Sequence, residues 1–162
     1  MVSPLMVLPG HEAREYIDRV DLDSIQPAGI DLSICEVNII EEPGHLGLKD
    51  RIIPKPKLVE LREGLWHLPR GAYRIRYCEA VKVPEDTIGL CFPRSSLLRM
   101  GVDVKCAVWD PGYHGRGEGL LIVYNELGVT IEHKARIAQI IFIKLKGKPH
   151  KLYEGVYQKE GL

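Results

Sequence analysis

The stretch AYRIRYCEAVKV, residues 72–83, alternates Tyr73, Ile75 and Tyr77 with Arg74 and Arg76. A period of two puts the three apolar side chains on one face of a β-strand and the guanidinium groups on the other. Working outward, TIGLCF (87–92), DVKCAVW (103–109), GLLIVYN (119–125), VTIEH (129–133) and RIAQIIFIKL (136–145) read as further strands, and GIDLSICEVNII (29–40) adds one or two more. Gly and Pro punctuate the chain every ten residues or so, as in an all-β barrel or sandwich. Helical signals are confined to HEAREYID (11–18) and to a short turn after Arg94. The Pro- and Gly-rich EEPGHLGLKDRIIPKPK (41–57) reads as a surface excursion. No internal repeat is visible. The whole of residues 1–162 is expected to form one domain, with the polar segment 146–162 as a mobile C-terminal tail.

Composition narrows the function classes. The 162 residues are 45% hydrophobic, enough for a sizeable core. Twenty-two basic residues balance 22 acidic ones, so no basic excess points to a nucleic acid polymer. The N-terminal MVSPLMVLPG lacks the charged start and long apolar core of a secretory signal, and no stretch is long enough to span a bilayer as a helix. Cys35, Cys78, Cys91 and Cys106 match no zinc or redox spacing. They are expected to be buried thiols of a cytoplasmic protein rather than disulfides.

Four segments carry candidate chemistry. PRSSLLRMGV (93–102) joins Arg94, Ser95 and Ser96 at the start of a helical turn. A Ser at the N-cap leaves backbone N–H groups free, and a guanidinium beside it offers a planar fork to phosphate oxygens. The bland alternative is an ordinary cap with a surface Arg. PAGIDL (27–32) sets Asp31 just after a Gly turn, and AVWDPGYHG (107–115) runs a strand into Asp110, a Pro-Gly turn and Tyr113. ARIAQI (135–140) holds one amide, Gln139, within an apolar strand. Taken singly, these read equally as turn carboxylates, a core aromatic and an edge-strand amide. GRGEG (115–119) precedes a strand rather than a helix, the wrong context for a dinucleotide or P-loop motif, and reads as a hairpin. His114 beside it is expected to be exposed rather than catalytic.

In this order, AGIDL, PRSSL, VWDPGYHG and RIAQI resemble the four motifs of the trimeric dUTPase and dCTP deaminase superfamily, over roughly residues 24–145 and closest to archaeal-type dUTPases. The resemblance implies a distorted β-barrel or jelly roll with one or two short helices. It implies a homotrimer with active sites built between subunits, and a deoxynucleoside triphosphate bound with Mg²⁺. It assigns Arg94, Ser95, Ser96 and Gln139 to the phosphates, and Tyr113 to the deoxyribose, where its bulk would reject a 2′-hydroxyl. Asp110 would bind the 3′-hydroxyl and hold the attacking water, and Asp31 would support the metal through water.

The superfamily runs two reactions: hydrolysis of dUTP to dUMP and pyrophosphate, and deamination of dCTP. The zinc-deaminase pattern is absent. The deaminases that this chain resembles carry a catalytic Glu three residues before an Asn-like strand end, where this chain has Ile122. Glu118 would face the same side of the strand but roughly 13 Å further along it. Against that, DPGY and Arg99 in RSSLLR resemble the deaminase branch. The reading is therefore a dUTP nucleotidohydrolase. A dCTP deaminase, or a bifunctional deaminase/dUTPase, is the alternative, and a non-catalytic nucleotide-binding trimer the second. In the tail YEGVYQKEGL (153–162), Gly155, Tyr157 and Gln158 would form a lid, with Tyr157 stacked on the base.

Overall fold

A computed structural model describes residues 6–162, so the first five residues of the N-terminal stretch lie outside the described residues. The expected all-β architecture is present. Six long strands form most of an eight-stranded sheet: β1 (Gly29–Ile39), β2 (Gly71–Tyr77), β3 (Thr87–Pro93), β4 (Val102–Lys105), β5 (Glu118–Val123) and β6 (Arg136–Lys144). Their spatial order is β4-β5-β2-β1-β6-β3, with every neighbouring pair antiparallel. The two ends of that path, β3 and β4, lie against each other, so the sheet curls into a nearly closed barrel. That approach shields the two edge strands, which would otherwise invite pairing with other chains.

The period of two in residues 72–77 decides which way β2 faces. Tyr73, Ile75 and Tyr77 point into the core, with Ile75 and Tyr77 fully buried, whereas Arg74 and Arg76 are half-buried on the other face. Ile30, Leu32 and Ile34 of β1, Leu121 of β5 and Ile140 and Phe142 of β6 complete the interior. Each such side chain contributes about 1.5–3 kcal/mol by leaving water.

Among the described residues two α-helices are present, both short: α1 (Gly10–Ala13), which overlaps the start of the 11–18 region read as helical, and α2 (Ser95–Arg99), the turn after Arg94. Most of residues 41–57 leave the barrel, with a small hairpin pairing His45–Leu46 with Arg51–Ile52, but Lys57 already rejoins the sheet opposite Ile39.

The cysteine expectation fails for one pair. Cys35 and Cys78 form a disulfide, while Cys91 and Cys106 are free and half-buried. The register of β1 against β2 shifts between Ile34 and Glu36, and the Cys78 amide donates to the Ser33 carbonyl at 3.0 Å. That irregularity brings Cys35 to Cys78, with Cα atoms 4.8 Å apart across a sequence separation of 43. Strand pairing, not spacing along the chain, made the pair.

Candidate active site

The candidate residues gather in two places. The first is a charged cluster on β1, β6 and the start of α2. Asp31, on β1, is only 2% exposed. Its Oδ2 accepts from Gln26 Nε2 at 3.0 Å and lies 3.1 Å from Arg94 Nε and 3.6 Å from Arg136 Nη1. Burial pushes the Asp31 carboxyl above its ordinary value, opposed by Arg94, Arg136 and the Gln26 amide. Asp31 stands directly across from Gln139 on β6. Because β6 lies between β1 and β3, Gln139 belongs to an interior strand rather than an edge. Arg94 Nη1 also donates to the Arg136 carbonyl at 3.4 Å, which ties the two arginines together.

The local reading of PRSSL needs one correction. Arg94, not a serine, is the N-cap of α2, and no side chain caps the helix. The Arg94 carbonyl accepts from the amides of Leu97 and Leu98 at 2.9 and 3.3 Å. Ser95 and Ser96 occupy the first helical turn and are exposed. Pro93, whose ring fixes its own φ, ends the strand and hands the chain to the helix at Arg94.

The second place is a cavity of about 740 Å³ on the outer face of β2 and β5. Asp110 and Tyr113 line it, and so does Tyr157 from the tail. Asp110, Pro111, Gly112 and Tyr113 form a tight turn in which the Tyr113 amide donates to the Asp110 carbonyl at 3.1 Å. Proline at the second position and Gly112 at φ +84° at the third suit a type II turn, where a side chain at the third position would be strained. Asp110 is exposed into the cavity. Tyr113 is 6% exposed, edge-on to Trp109 and to Tyr153 with ring centroids 5.3 and 5.5 Å away.

Sequence reasoning missed the floor of this cavity. Arg74, Arg76 and Glu118 form it: Glu118 Oε1 is 2.8 Å from Arg76 Nη2, its other oxygen pairs with Arg74, and Arg76 reaches Glu36 at 3.3 Å. The Arg alternation that defined β2 carried this signal, since two guanidinium groups on one face of a strand call for carboxylate partners. Glu118 faces the cavity together with Gly119 and Leu120. Ile122 instead sits between Ala72 of β2 and Asp103 of β4. Arg136 was also overlooked, although it opens the same RIAQI segment that supplied Gln139.

The tail packs against the turn. The Tyr153 amide donates to the Pro111 carbonyl at 2.8 Å and the Lys159 amide to His114 at 2.7 Å. Gln158 Nε2 donates to the Gly112 carbonyl at 2.9 Å, while its Oε1 accepts from the His114 amide at 2.8 Å. The Gln158 amide is therefore spent on backbone, whereas the Tyr157 ring, 44% exposed, is free at the cavity wall. Gly155 is exposed in the loop between Tyr153 and Tyr157. His114 is half-buried and pairs with Lys82 through its backbone.

A resident metal finds little here. Among the described residues no three His, Cys, Asp or Glu side chains converge. The Asp31 oxygen that faces the cluster already serves Gln26 and two guanidinium groups. The donor set suits a cation that arrives on phosphate oxygens and keeps its waters, rather than one held in a protein cage.

Comparison with known proteins agrees with this architecture. Residues 7–145 match the family model described as dCTP deaminase-like. A relative from Aeropyrum pernix, named "Probable deoxyuridine 5′-triphosphate nucleotidohydrolase", is 48% identical over 139 residues, covering 86% of this chain and 87% of the relative. The deoxyuridine 5′-triphosphate nucleotidohydrolase of Methanocaldococcus jannaschii is 35% identical over 157 residues, covering 94% and 99%. Among solved structures, the dCTP deaminase of Agrobacterium tumefaciens superposes with TM-score 0.70 at 19% identity, over 88% of this chain and 49% of that one. This chain thus spans about half the length of that deaminase chain. A dUTPase of Staphylococcus aureus phage phi11, described with a structural Mg(II) ion, gives TM-score 0.52 at 15% identity, over 96% and 99%. With a matching family model over most of its length and a barrel shared with those structures, this chain belongs to the dCTP deaminase-like family.

Proposed function

We propose that the protein is a deoxyuridine triphosphate nucleotidohydrolase, converting dUTP and water to dUMP and pyrophosphate. The observation that carries this reading is the division of labour between the two places. One holds a buried carboxylate that orders two guanidinium groups, suited to phosphate. The other is an aromatic-walled cavity with an exposed carboxylate, suited to sugar, base and water. The naming of the archaeal relatives points the same way.

In this reading Arg94, Ser95, Ser96 and Gln139 take the triphosphate, and Asp31 holds Arg94 and Arg136 in place. Tyr113 packs on the deoxyribose, and Tyr157, at the cavity wall, covers the base, with Gly155 and Gln158 shaping the tail. Asp110 orients a water for in-line attack on the α-phosphorus and takes its proton as the P–O bond forms and pyrophosphate leaves. Asp31 would support a Mg²⁺ ion through water, and that ion would supply neutralisation of the phosphate charge.

The cluster and the cavity hold different candidate residues, none shared between them. Such separation supports a site completed between subunits, and the resemblance to the trimeric superfamily implies that the assembly is a homotrimer. No helix among the described residues is long and apolar enough to cross a membrane.

The deaminase alternative would need Glu118 as its proton carrier. Glu118, the carboxylate that lines the cavity from β5, has both oxygens held by guanidinium groups. The test is a panel of dUTP, dCTP, dTTP and UTP with pyrophosphate and ammonia measured together. Pyrophosphate from dUTP, with no ammonia from dCTP, is expected. Steady ammonia release from dCTP would make the protein a deaminase, and no turnover of any substrate would leave a nucleotide-binding trimer.

A further inference from the structure

The C-terminal segment brings a carboxylate, Glu160, into the cavity wall beside Tyr113. The Tyr113 hydroxyl donates to Glu160 Oε1 at 2.8 Å. The backbone is fixed too, because the Arg116 amide donates to the Glu160 carbonyl at 2.9 Å. The glycine-rich GRGEG segment fits this contact. A Cβ on Gly115 would come within 2.7 Å of the Tyr113 hydroxyl and 3.0 Å of the Glu160 carbonyl, so only glycine lets Tyr113 and the tail approach. Burial pushes the Glu160 carboxyl above its ordinary value; the bond from Tyr113 opposes that, Glu118 adds to it, and Arg76 and Arg74 oppose it. The same burial and the Glu160 charge drive the Tyr113 phenol far above its usual range.

We infer that Glu160 is a positioning residue for sugar selection: by accepting from the Tyr113 hydroxyl it holds the ring edge-on to Trp109, in the one orientation that excludes a 2′-hydroxyl. The inference rests on the assignment of Tyr113 to the deoxyribose. A phenol ring pinned only by stacking can swing about its χ1 and χ2 bonds, and a ribonucleotide would be accommodated by that swing. A charge-assisted bond at the far end of the ring removes the freedom. Placing the acceptor on the C-terminal segment also makes sugar selection depend on a tail that is seated on the turn.

The experiment compares Glu160→Ala, Glu160→Gln, Tyr113→Phe and the double variant Glu160→Ala/Tyr113→Phe in the full-length protein. The ratio of kcat/KM for dUTP over UTP is expected to fall about tenfold in Glu160→Ala and in Tyr113→Phe, the worth of one hydrogen bond to a charged group. The double variant should fall no further, and Glu160→Gln, whose amide oxygen still accepts, should recover most of the ratio. An undiminished ratio in Glu160→Ala alongside a reduced one in Tyr113→Phe would overturn the inference. So would additive losses in the double variant. A second readout needs no substrate: NMR of protein labelled at tyrosine Cζ, with the Tyr113 signal assigned through Tyr113→Phe. That signal should move in Glu160→Ala and return towards its place in Glu160→Gln; an unmoved signal would deny the contact itself. If Tyr113→Ala leaves the dUTP/UTP ratio unchanged while the NMR signal responds, the sugar assignment of Tyr113 has failed and the inference falls with it.

Discussion

Arg94 Nε lies 3.1 Å from Asp31 Oδ2, and that pair lies apart from the cavity that holds Asp110. One chain thus presents an arginine–carboxylate cluster and an exposed carboxylate at two separate places. If the site is completed between subunits, two inactive variants should rescue each other. Mixing Arg94→Ala with Asp110→Asn after dissociation and reassembly should restore activity towards roughly a quarter of the wild-type sites, since random assembly of a closed oligomer leaves that share with both residues intact. A mixture as inactive as its parents, or a monomer that is active by sedimentation at assay concentration, would refute the shared site.

Asp110 is exposed into the cavity, so a neutral isostere is tolerated there structurally. Asp110→Asn should keep the fold and most nucleotide affinity while kcat falls by about 10²–10⁴-fold, the usual worth of a general base. Near wild-type kcat in a properly folded variant would remove Asp110 from the water-activating role.

Glu118 neutralises Arg74 and Arg76 in a half-buried network. Glu118→Gln should lower stability by about 1–3 kcal/mol, less than a fully buried pair would lose, because the two guanidinium groups keep access to water. Ammonia release from dCTP should be absent in both forms. Calorimetry and an ammonia assay check the two halves separately; ammonia released by wild type and lost in Glu118→Gln would reassign this residue as a proton carrier.

The Cys35–Cys78 bridge closes a long loop between two paired strands. Chain entropy alone gives it about 4 kcal/mol for a separation of 43 residues. Reduction, or Cys35→Ser, should lower Tm by about 10 °C in a chain of this size. Thermal melts with and without a phosphine reductant measure this, and identical melts would mean that the two thiols are unpaired in solution.

Glu79 gives the pH dependence a sign. It is buried and accepts from the Ser33 amide at 2.9 Å and from the Ser33 hydroxyl. Burial nonetheless pushes its carboxyl above the ordinary value; the two Ser33 bonds oppose the shift and Asp18 adds to it. The folded state then binds the proton more tightly than the unfolded chain does. Its contribution to stability is lost as pH rises from the ordinary carboxyl range through the raised value. Glu79→Gln cannot titrate, so its Tm relative to wild type should climb across that window. A Tm difference independent of pH would show that Glu79 does not titrate there.

Alternation in residues 72–77 was enough to orient β2, because a strand's side chains must face opposite ways and Tyr73, Ile75 and Tyr77 have only one face that leaves water. Residues 107–115 were equally legible, since Pro111 and Gly112 permit few turns and so deliver Asp110 and Tyr113 to the same cavity. Local chemistry also marked Arg94, though not that it, rather than a serine, would cap α2. Partnerships between distant segments were not readable in this way. Arg136 meets Asp31, Glu118 meets Arg74 and Arg76, Cys35 meets Cys78, and Glu160 meets Tyr113 only because strand register and a folded-back tail bring them together. Residue type and spacing fix what a side chain can do within its own strand or turn; which charge, thiol or hydroxyl it finds opposite is set by how strands pair in the closed barrel.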